Sequence, residues 1–131
     1  LEPYRYFIKN NKVDMIMTAH VFNEKLDKDY PATLSYNVNT NLLRYKLGYE
    51  GVLVSDDLQM YAISKHYDLK QTLTLAINSG VDMLLFANQL AKPISLKQIV
   101  DTVYSQILNE EISLEQIIKS NQRINRMTEK Y

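Results

Sequence analysis

Three continuous runs of apolar residues constrain this chain more than any other feature of its sequence. The runs cover residues 13–17, 51–54 and 81–85, and the first and third repeat the pattern Val-Asp-Met followed by two large apolar residues. Runs without polar alternation are typical of strands buried on both faces. Their starts lie about 30 to 40 residues apart, which leaves room for a crossover helix each time. The runs therefore predict three parallel strands.

Helix signals occupy the segments around these runs. Val38, Leu42 and Tyr45 share one face of a predicted helix, and Gly48 stands where that helix would end. The spacing of apolar residues in 1–8 predicts a helix that is already under way at the first residue. Capping pairs predict the starts of three further helices, at Asp68–Gln71, Ser95–Gln98 and Ser113–Gln116. We expect one partial α/β domain over 1–131, with three βα units and an extra terminal helix.

Composition and charge exclude several classes of protein. Fifteen basic and fifteen acidic residues give a net charge of zero without a basic block, so we expect no nucleic-acid partner. No apolar run is long enough to span a bilayer, and we expect no membrane partner. The chain has no cysteine and only two distant histidines, so we expect no metal and no cofactor. The absence of cysteine fits a reducing compartment, which favours a cytoplasmic protein.

Polar residues follow each predicted strand, at the end of a parallel sheet where functional groups usually lie. Asp56 comes two residues after the second apolar run, where its strand would hold the carboxylate rigidly towards a cleft. Such a carboxylate suits a nucleophile or a general base. The alternative is a helix cap, a role that aspartate often takes. We expect Asp57 to be the cap, because neighbouring residues at a strand end point in different directions.

His20 and two further aspartates are weaker candidates. His20 follows the first run, where its imidazole could bind a substrate hydroxyl or orient a carboxylate. A structural histidine bonded to a loop carbonyl explains the same position. Asp14 and Asp82 begin their strands, at the opposite end of the sheet, and we expect both to be structural.

Four segments carry a family resemblance. Residues 15–21 contain M-T-A-H-V, residues 27–35 have the pattern D-x-x-x-P-A-T, and residues 76–85 read A-I-N-S-G-V-D-M-L-L. The most specific segment is 47–60, which reads L-G-Y-E-G-V-L-V-S-D-D-L-Q-M. In order and spacing the chain resembles the family 3 β-N-acetylhexosaminidases over essentially its whole length.

The resemblance implies a fold, a substrate and a reaction. The first aspartate of the family's S-D-D-L element is its nucleophile, which corresponds to Asp56 here. The three strands become the sixth to eighth of a TIM (β/α)8 barrel, so this chain is expected to be the C-terminal part of that barrel. The implied reaction is retaining hydrolysis of carbohydrates that end in β-linked N-acetylglucosamine, typically peptidoglycan fragments. His20 is the candidate substrate-binding residue.

Two elements of the family pattern are absent from these residues. The family's acid/base is an aspartate–histidine pair, and its substrate-binding motif reads K-H-F-P-G-H; neither occurs here. We therefore expect the chain alone to be inactive. A whole barrel needs about 250 residues, and three of its strands would leave unpaired, apolar edges. We expect these edges to be covered by self-association or by the missing N-terminal half of the barrel.

Two alternative interpretations remain. A family 3 β-glucosidase fragment would usually carry tryptophan directly after the nucleophile, and this chain has no tryptophan. A non-catalytic half-barrel module could share the same strand pattern. The sequence upstream of Leu1 would discriminate between them, because only an enzyme needs the two absent motifs there.

Overall fold

The computed structural model describes residues 1–89 and 92–131 and has an α/β architecture with more helix than strand. A short 3-10 helix and a π-helix lie between the two strands, and a four-residue helix follows the second strand. In chain order the elements are α1 (Glu2–Lys9), β1 (Met15–Met17), the 3-10 helix (Ala32–Leu34), the π-helix (Asn37–Lys46), β2 (Val52–Val54), α2 (Tyr61–Ser64), α3 (Leu69–Ser79), α4 (Leu96–Leu108) and α5 (Leu114–Thr128).

The sheet contains two parallel strands in place of the expected three. β1 pairs with β2 in a register that sets Met15 opposite Val52 and Met17 opposite Val54. The third apolar run lies along the other edge of β2 and forms a single parallel bridge with it, between Val54 and Met83. The prediction of a third full strand is therefore wrong for the described residues, although its neighbour and direction are those expected.

Burial is strongest at β2 and weaker at β1. Val52 and Leu53 are completely buried, as expected for the central member of three parallel segments. Met15 and Met17 are exposed on β1, so the prediction that this run is buried on both faces is wrong. Tyr49 packs into the core beside β2, and burial raises the pKa of its phenol to about 12. The hydroxyl therefore stays protonated at neutral pH.

The three capping pairs lie where the sequence predicts them. Asp68 and Gln71 form a reciprocal capping box at the start of α3. The hydroxyls that precede α4 and α5 each accept a hydrogen bond from the backbone of the residue three positions later. Gly80 ends α3 in the left-handed conformation with φ 107°, and an added Cβ would lie only 2.7 Å from Thr40. These helix boundaries are therefore local properties of the sequence.

The helix before β2 differs from its prediction. It begins near the expected place and ends before Gly48, which has φ 71°. However, the element is a π-helix, and its last turn closes with a backbone bond from Leu47 to Leu42, five residues earlier. Of the three residues predicted to share one face, Val38 and Leu42 are half-buried, but Tyr45 is 74% exposed, so the predicted face is wrong at Tyr45. The residues buried instead are Asn39, Thr40 and Leu43.

None of the helices in the described part of the chain combines the length and the apolarity that crossing a membrane would require.

Candidate active site

Side chains after β2 bind the backbone of the third apolar run. Three residues, each two apart in sequence, accept hydrogen bonds from backbone N–H groups at the end of this run and just beyond it: Ser55 from Leu85 (2.9 Å), Asp57 from Ala87 (3.1 Å) and Gln59 from Asn88 (2.7 Å). A backbone bond from the N–H of Leu58 to the carbonyl of Leu85 joins the same two segments. Side-chain and backbone bonds together therefore hold the segment after the bridge against the loop after β2.

Asp57 has a different structural role from the one expected. Its Oδ1 accepts backbone bonds from Gln59 and Ala87, both at 3.1 Å, and the residue is buried. The following helix, α2, begins only at Tyr61 and has no side-chain cap. The prediction that Asp57 caps that helix is therefore wrong, because the carboxylate is used to join two loops.

Asp56 is half-buried and lies two residues after the end of β2. Its Oδ1 accepts a 2.8 Å bond from the backbone N–H of Asp57. Within residues 1–89 and 92–131, no hydrogen bond reaches its Oδ2 and no cation pairs with it. The carboxylate is thus held in one orientation by a single backbone donor and keeps one oxygen for another partner, an arrangement that suits a nucleophile.

His20 lies beside this loop and makes two bonds within the protein. Its Nε2 is 2.8 Å from the carbonyl oxygen of Asp57, and its Nδ1 is 2.9 Å from Oγ1 of Thr33. The structure therefore contains the loop-carbonyl bond of the structural alternative. A direct role for His20 in substrate binding stays a prediction, and it would use a ring that is already bonded at both nitrogens.

Thr33 belongs to a tightly held loop between β1 and the π-helix. It is completely buried, and its Oγ1 is also 2.9 Å from Oγ1 of Thr18. Asp27 organises the same loop by accepting bonds from two backbone N–H groups and from the hydroxyl of Ser35. Burial opposes ionisation of Asp27, but these hydrogen bonds outweigh it and lower the pKa of the carboxyl. Neither threonine was assigned a role from the sequence, although both lie within the motifs M-T-A-H and P-A-T.

Asp82 occupies the opposite end of the strands. It pairs with Arg44 at 2.7 Å and with Arg123 at 2.8 Å, and its side chain is completely buried. Its carboxylate also accepts bonds from the Ser120 hydroxyl and the Leu53 backbone. Burial lowers the pKa of Arg44, against the opposing effect of the adjacent carboxylate. Asp82 is thus structural, as expected, because it joins the π-helix, β2 and α5.

Asp14 is the second structural aspartate at this end. It contacts Lys130 and Tyr131 at the end of the chain. Hydrogen bonds from Lys130 and then from Tyr131 lower the pKa of this exposed carboxyl. Across the described residues, the structure contains no cluster of three or more histidine, aspartate or glutamate side chains able to hold a metal ion.

Known proteins resemble this chain in both sequence and structure. The model of the glycosyl hydrolase family 3 N-terminal domain matches residues 1–127. A β-hexosaminidase A from Pseudoalteromonas piscicida is 33% identical, with 85% of this chain and 22% of the relative covered. A β-hexosaminidase from Haemophilus ducreyi is 38% identical over 68% of this chain and 26% of the relative.

Two solved structures share the fold. A family 3 β-N-acetylglucosaminidase from a Paenibacillus species has a TM-score of 0.84 and 36% identity, covering 97% of this chain and 24% of the other. The Thermotoga maritima β-N-acetylglucosaminidase also has a TM-score of 0.84, with 27% identity and coverage of 95% and 27%. The chain spans about a fifth to a third of the length of the curated relatives it matches. By sequence, and with a matching fold, this chain belongs to glycosyl hydrolase family 3, within the family's N-terminal domain.

Proposed function

We propose that this chain is the nucleophile-bearing part of a retaining β-N-acetylhexosaminidase, with Asp56 as the nucleophile. The observation that carries the proposal is the carboxylate of Asp56, which one backbone donor orients at the exit of a buried strand while its second oxygen has no partner among the described residues. The β-hexosaminidase and β-N-acetylglucosaminidase relatives support a glycoside hydrolase. A terminal N-acetylglucosamine, released from peptidoglycan fragments, is the substrate we propose.

The proposed architecture is the C-terminal part of a TIM (β/α)8 barrel. In that fold, β1, β2 and the third apolar run would be three consecutive barrel strands, and Asp56 would lie at the catalytic end. The fit of 97% of this chain onto about a quarter of a family 3 β-N-acetylglucosaminidase supports the assignment. The remaining strands would then come from residues outside this chain.

The proposed reaction divides its roles between this chain and the rest of the barrel. Oδ2 of Asp56 attacks the anomeric carbon, the glycosidic bond breaks, and the leaving oxygen takes a proton from an acid. Water then releases the sugar from the covalent glycosyl-enzyme. Asp57 is an unsuitable acid, because its carboxylate is buried and already accepts two backbone bonds. We place the acid in the remainder of the barrel.

Kinetics of the full-length protein that contains this chain test the proposal. Asp56→Ala should lower turnover of an aryl β-N-acetylglucosaminide by several orders of magnitude, because the covalent step loses its nucleophile. Asp57→Ala is the comparison variant; it should cost stability and lower turnover much less than Asp56→Ala, because Asp57 orients the nucleophile without forming the covalent bond. A larger kinetic loss at Asp57 would contradict the assignment. Faster turnover of the aryl β-glucoside would favour a β-glucosidase, and an inactive full-length protein would favour a non-catalytic module.

The purified 131-residue chain should show no hydrolysis above background. General acid–base assistance is typically worth about 10²–10⁴-fold, and the acid is not assigned to these residues. Turnover by the chain alone, measured with the aryl β-N-acetylglucosaminide, would mean that the acid lies within it. A cytoplasmic location stays a prediction, and cell fractionation would test it.

We further propose that the chain associates with itself or with the rest of the barrel. Met15 and Met17 on β1 and Met83 and Leu85 on the third run are exposed, although each lies in a strongly apolar segment. Apolar surface of this kind favours association. Light scattering of the purified chain should therefore detect an oligomer. A monodisperse monomer that binds no dye for exposed apolar surface would contradict this proposal.

A further inference from the structure

We infer that His20 is a positioning residue for Asp56. It acts through the backbone of Asp57, as one member of a hydrogen-bond chain in which each group donates to the next. The inference rests on the proposed function, because it matters to catalysis only if Asp56 is the nucleophile. The bonds of His20 to Asp57 and Thr33 would then affect catalysis as well as stability.

The direction of donation along the hydrogen-bond chain follows from its acceptor, the backbone carbonyl of Asp57. A backbone carbonyl only accepts, so the Nε2 of His20, 2.8 Å from the Asp57 oxygen, must carry a hydrogen. In the neutral ring the Nδ1 is then an acceptor, and the Thr33 hydroxyl 2.9 Å away must donate to it. The Thr33 oxygen is left to accept from Thr18, also at 2.9 Å. Two buried or half-buried hydroxyls therefore fix one tautomer of His20.

The chain ends on the residue that orients the nucleophile. The Asp57 carbonyl is held by His20, and its carboxylate is held by the backbone N–H groups of Gln59 and Ala87. The N–H of the same residue donates to Oδ1 of Asp56. Asp57 is thus fixed at two groups and uses a third to set the Asp56 carboxylate. Loss of the His20 bond would free the peptide between Asp57 and Leu58, which is linked through the Cα of Asp57 to the peptide whose N–H bonds Asp56, without removing any group that touches the substrate.

Thr33, which donates to His20 in this hydrogen-bond chain, is held rigidly enough to position the ring. Thr33 is completely buried, and its carbonyl accepts a 3.1 Å bond from the side-chain amide of Asn39. Its loop is fixed independently by the carboxylate of Asp27. A group that positions another must itself be held, and Thr33 meets this requirement from two sides.

The test uses the full-length protein and separates positioning from sugar binding. His20→Ala should lower kcat roughly 10–100-fold with little change in KM, because a small misplacement of a reacting group costs about that much. Thr33→Val should lower kcat about five- to tenfold, the value of one hydrogen bond, whereas Thr33→Ser should restore most of it. Thr128→Val, in the last turn of α5, is the matched control and should leave kcat unchanged.

Each result has a defined meaning. A raised KM with unchanged kcat for His20→Ala would overturn the inference in favour of a direct sugar contact. Unchanged kcat in both His20→Ala and Thr33→Val would overturn it outright. If His20→Ala fails to fold, the difference between the Val and Ser variants of Thr33, at matched melting temperature, decides the question. Nitrogen-15 NMR of histidine-labelled protein supplies a readout independent of activity: Nε2 should be protonated and Nδ1 bare, and the opposite tautomer would contradict the chain.

The inference can fail separately from the proposed function. Covalent labelling of Asp56 by a slow fluorinated N-acetylglucosaminide, with an unchanged labelling rate in Thr33→Val, would defeat the positioning role and leave the nucleophile intact. Labelling of another residue would defeat the proposed function itself.

Discussion

At the start of the third apolar run Asp82 accepts four hydrogen bonds, two of them from arginines, whereas at the exit of β2 Asp56 accepts one bond from a backbone N–H. Both aspartates lie at an end of the same small sheet. The side chain of Asp82 is completely buried, although each of the two aspartates as a whole residue is half-buried. The protein thus places two carboxylates at strand ends, and only that of Asp82 has both oxygens occupied by hydrogen-bond donors.

This difference separates a structural carboxylate from one available for chemistry. A buried charge is tolerated only when cations and hydrogen bonds occupy its oxygens, and Asp82 meets that condition fully. Asp56 is oriented by a short bond, yet it has a free oxygen at a partly exposed position. Sequence position places both aspartates at strand ends and does not distinguish them. The number of carboxylate acceptor sites that are occupied does distinguish the structural aspartate from the one available for chemistry.

The largest expected effect on stability is at Asp82. Asp82→Asn should lower the free energy of unfolding by about 3–5 kcal/mol, because the amide NH2 would face arginine donors and leave their charges unpaired in a buried site. Urea unfolding followed by circular dichroism measures the loss. The matched control is Asp101→Asn, which removes an exposed ion pair with Lys97 and should cost no more than about 0.5 kcal/mol. Equal losses at the two positions would break the comparison.

An intermediate effect is expected at Asp57, beside the proposed nucleophile. Asp57→Ala should lower the free energy of unfolding by about 1.5–3 kcal/mol, because the backbone N–H groups of Gln59 and Ala87 lose a charged acceptor. Asp57→Asn keeps one carbonyl oxygen and should lose less. Thermal unfolding of both variants checks the order. If alanine and asparagine were equally well tolerated, the two loop bonds would not stabilise the site.

The smallest effect, and a pH-dependent one, is expected at Asp27. Asp27→Asn should cost about 1–2 kcal/mol at neutral pH through weakened hydrogen bonds to Ser35 and the loop backbone. Because folding lowers the pKa of this carboxyl from 3.8, its contribution is present above that value and is lost as the pH falls through the lower folded pKa. Unfolding from pH 7 to pH 3 should show the wild type and the variant converging in acid. If the unfolding free energies of the wild type and the variant moved further apart in acid, the ionised Asp27 carboxylate would not be the stabilising form.

Local signals in the sequence predicted the helix starts well. At each of these helix starts the N-cap side chain accepts a hydrogen bond from the backbone N–H three residues later, so neighbours in the chain suffice to determine the start. The parallel direction of the sheet and the central position of β2 were also predictable, because continuous apolar runs separated by helices admit few arrangements. The buried face of the helix before β2 was not predictable, since its π-helical turn departs from the 3.6-residue period.

The candidate site was predicted in outline and missed in its supporting contacts. Asp56 follows from its place after a buried strand and from the family resemblance. The roles of Thr33 and Asp57 depend on loops that meet only in the folded protein, such as the contact between His20 and Asp57, which are 37 residues apart. Periodicity carries no information about such pairs.

Covalent trapping of the full-length protein tests the central claim most directly. A fluorinated N-acetylglucosaminide with a good leaving group should accumulate as a glycosyl-enzyme, because the second step is slowed more than the first. Digestion and mass spectrometry should then find the sugar on the peptide that contains Ser55-Asp56-Asp57, with the added mass on Asp56 and no labelling in Asp56→Ala. Labelling at Asp57, or on a peptide outside this segment, would contradict the account.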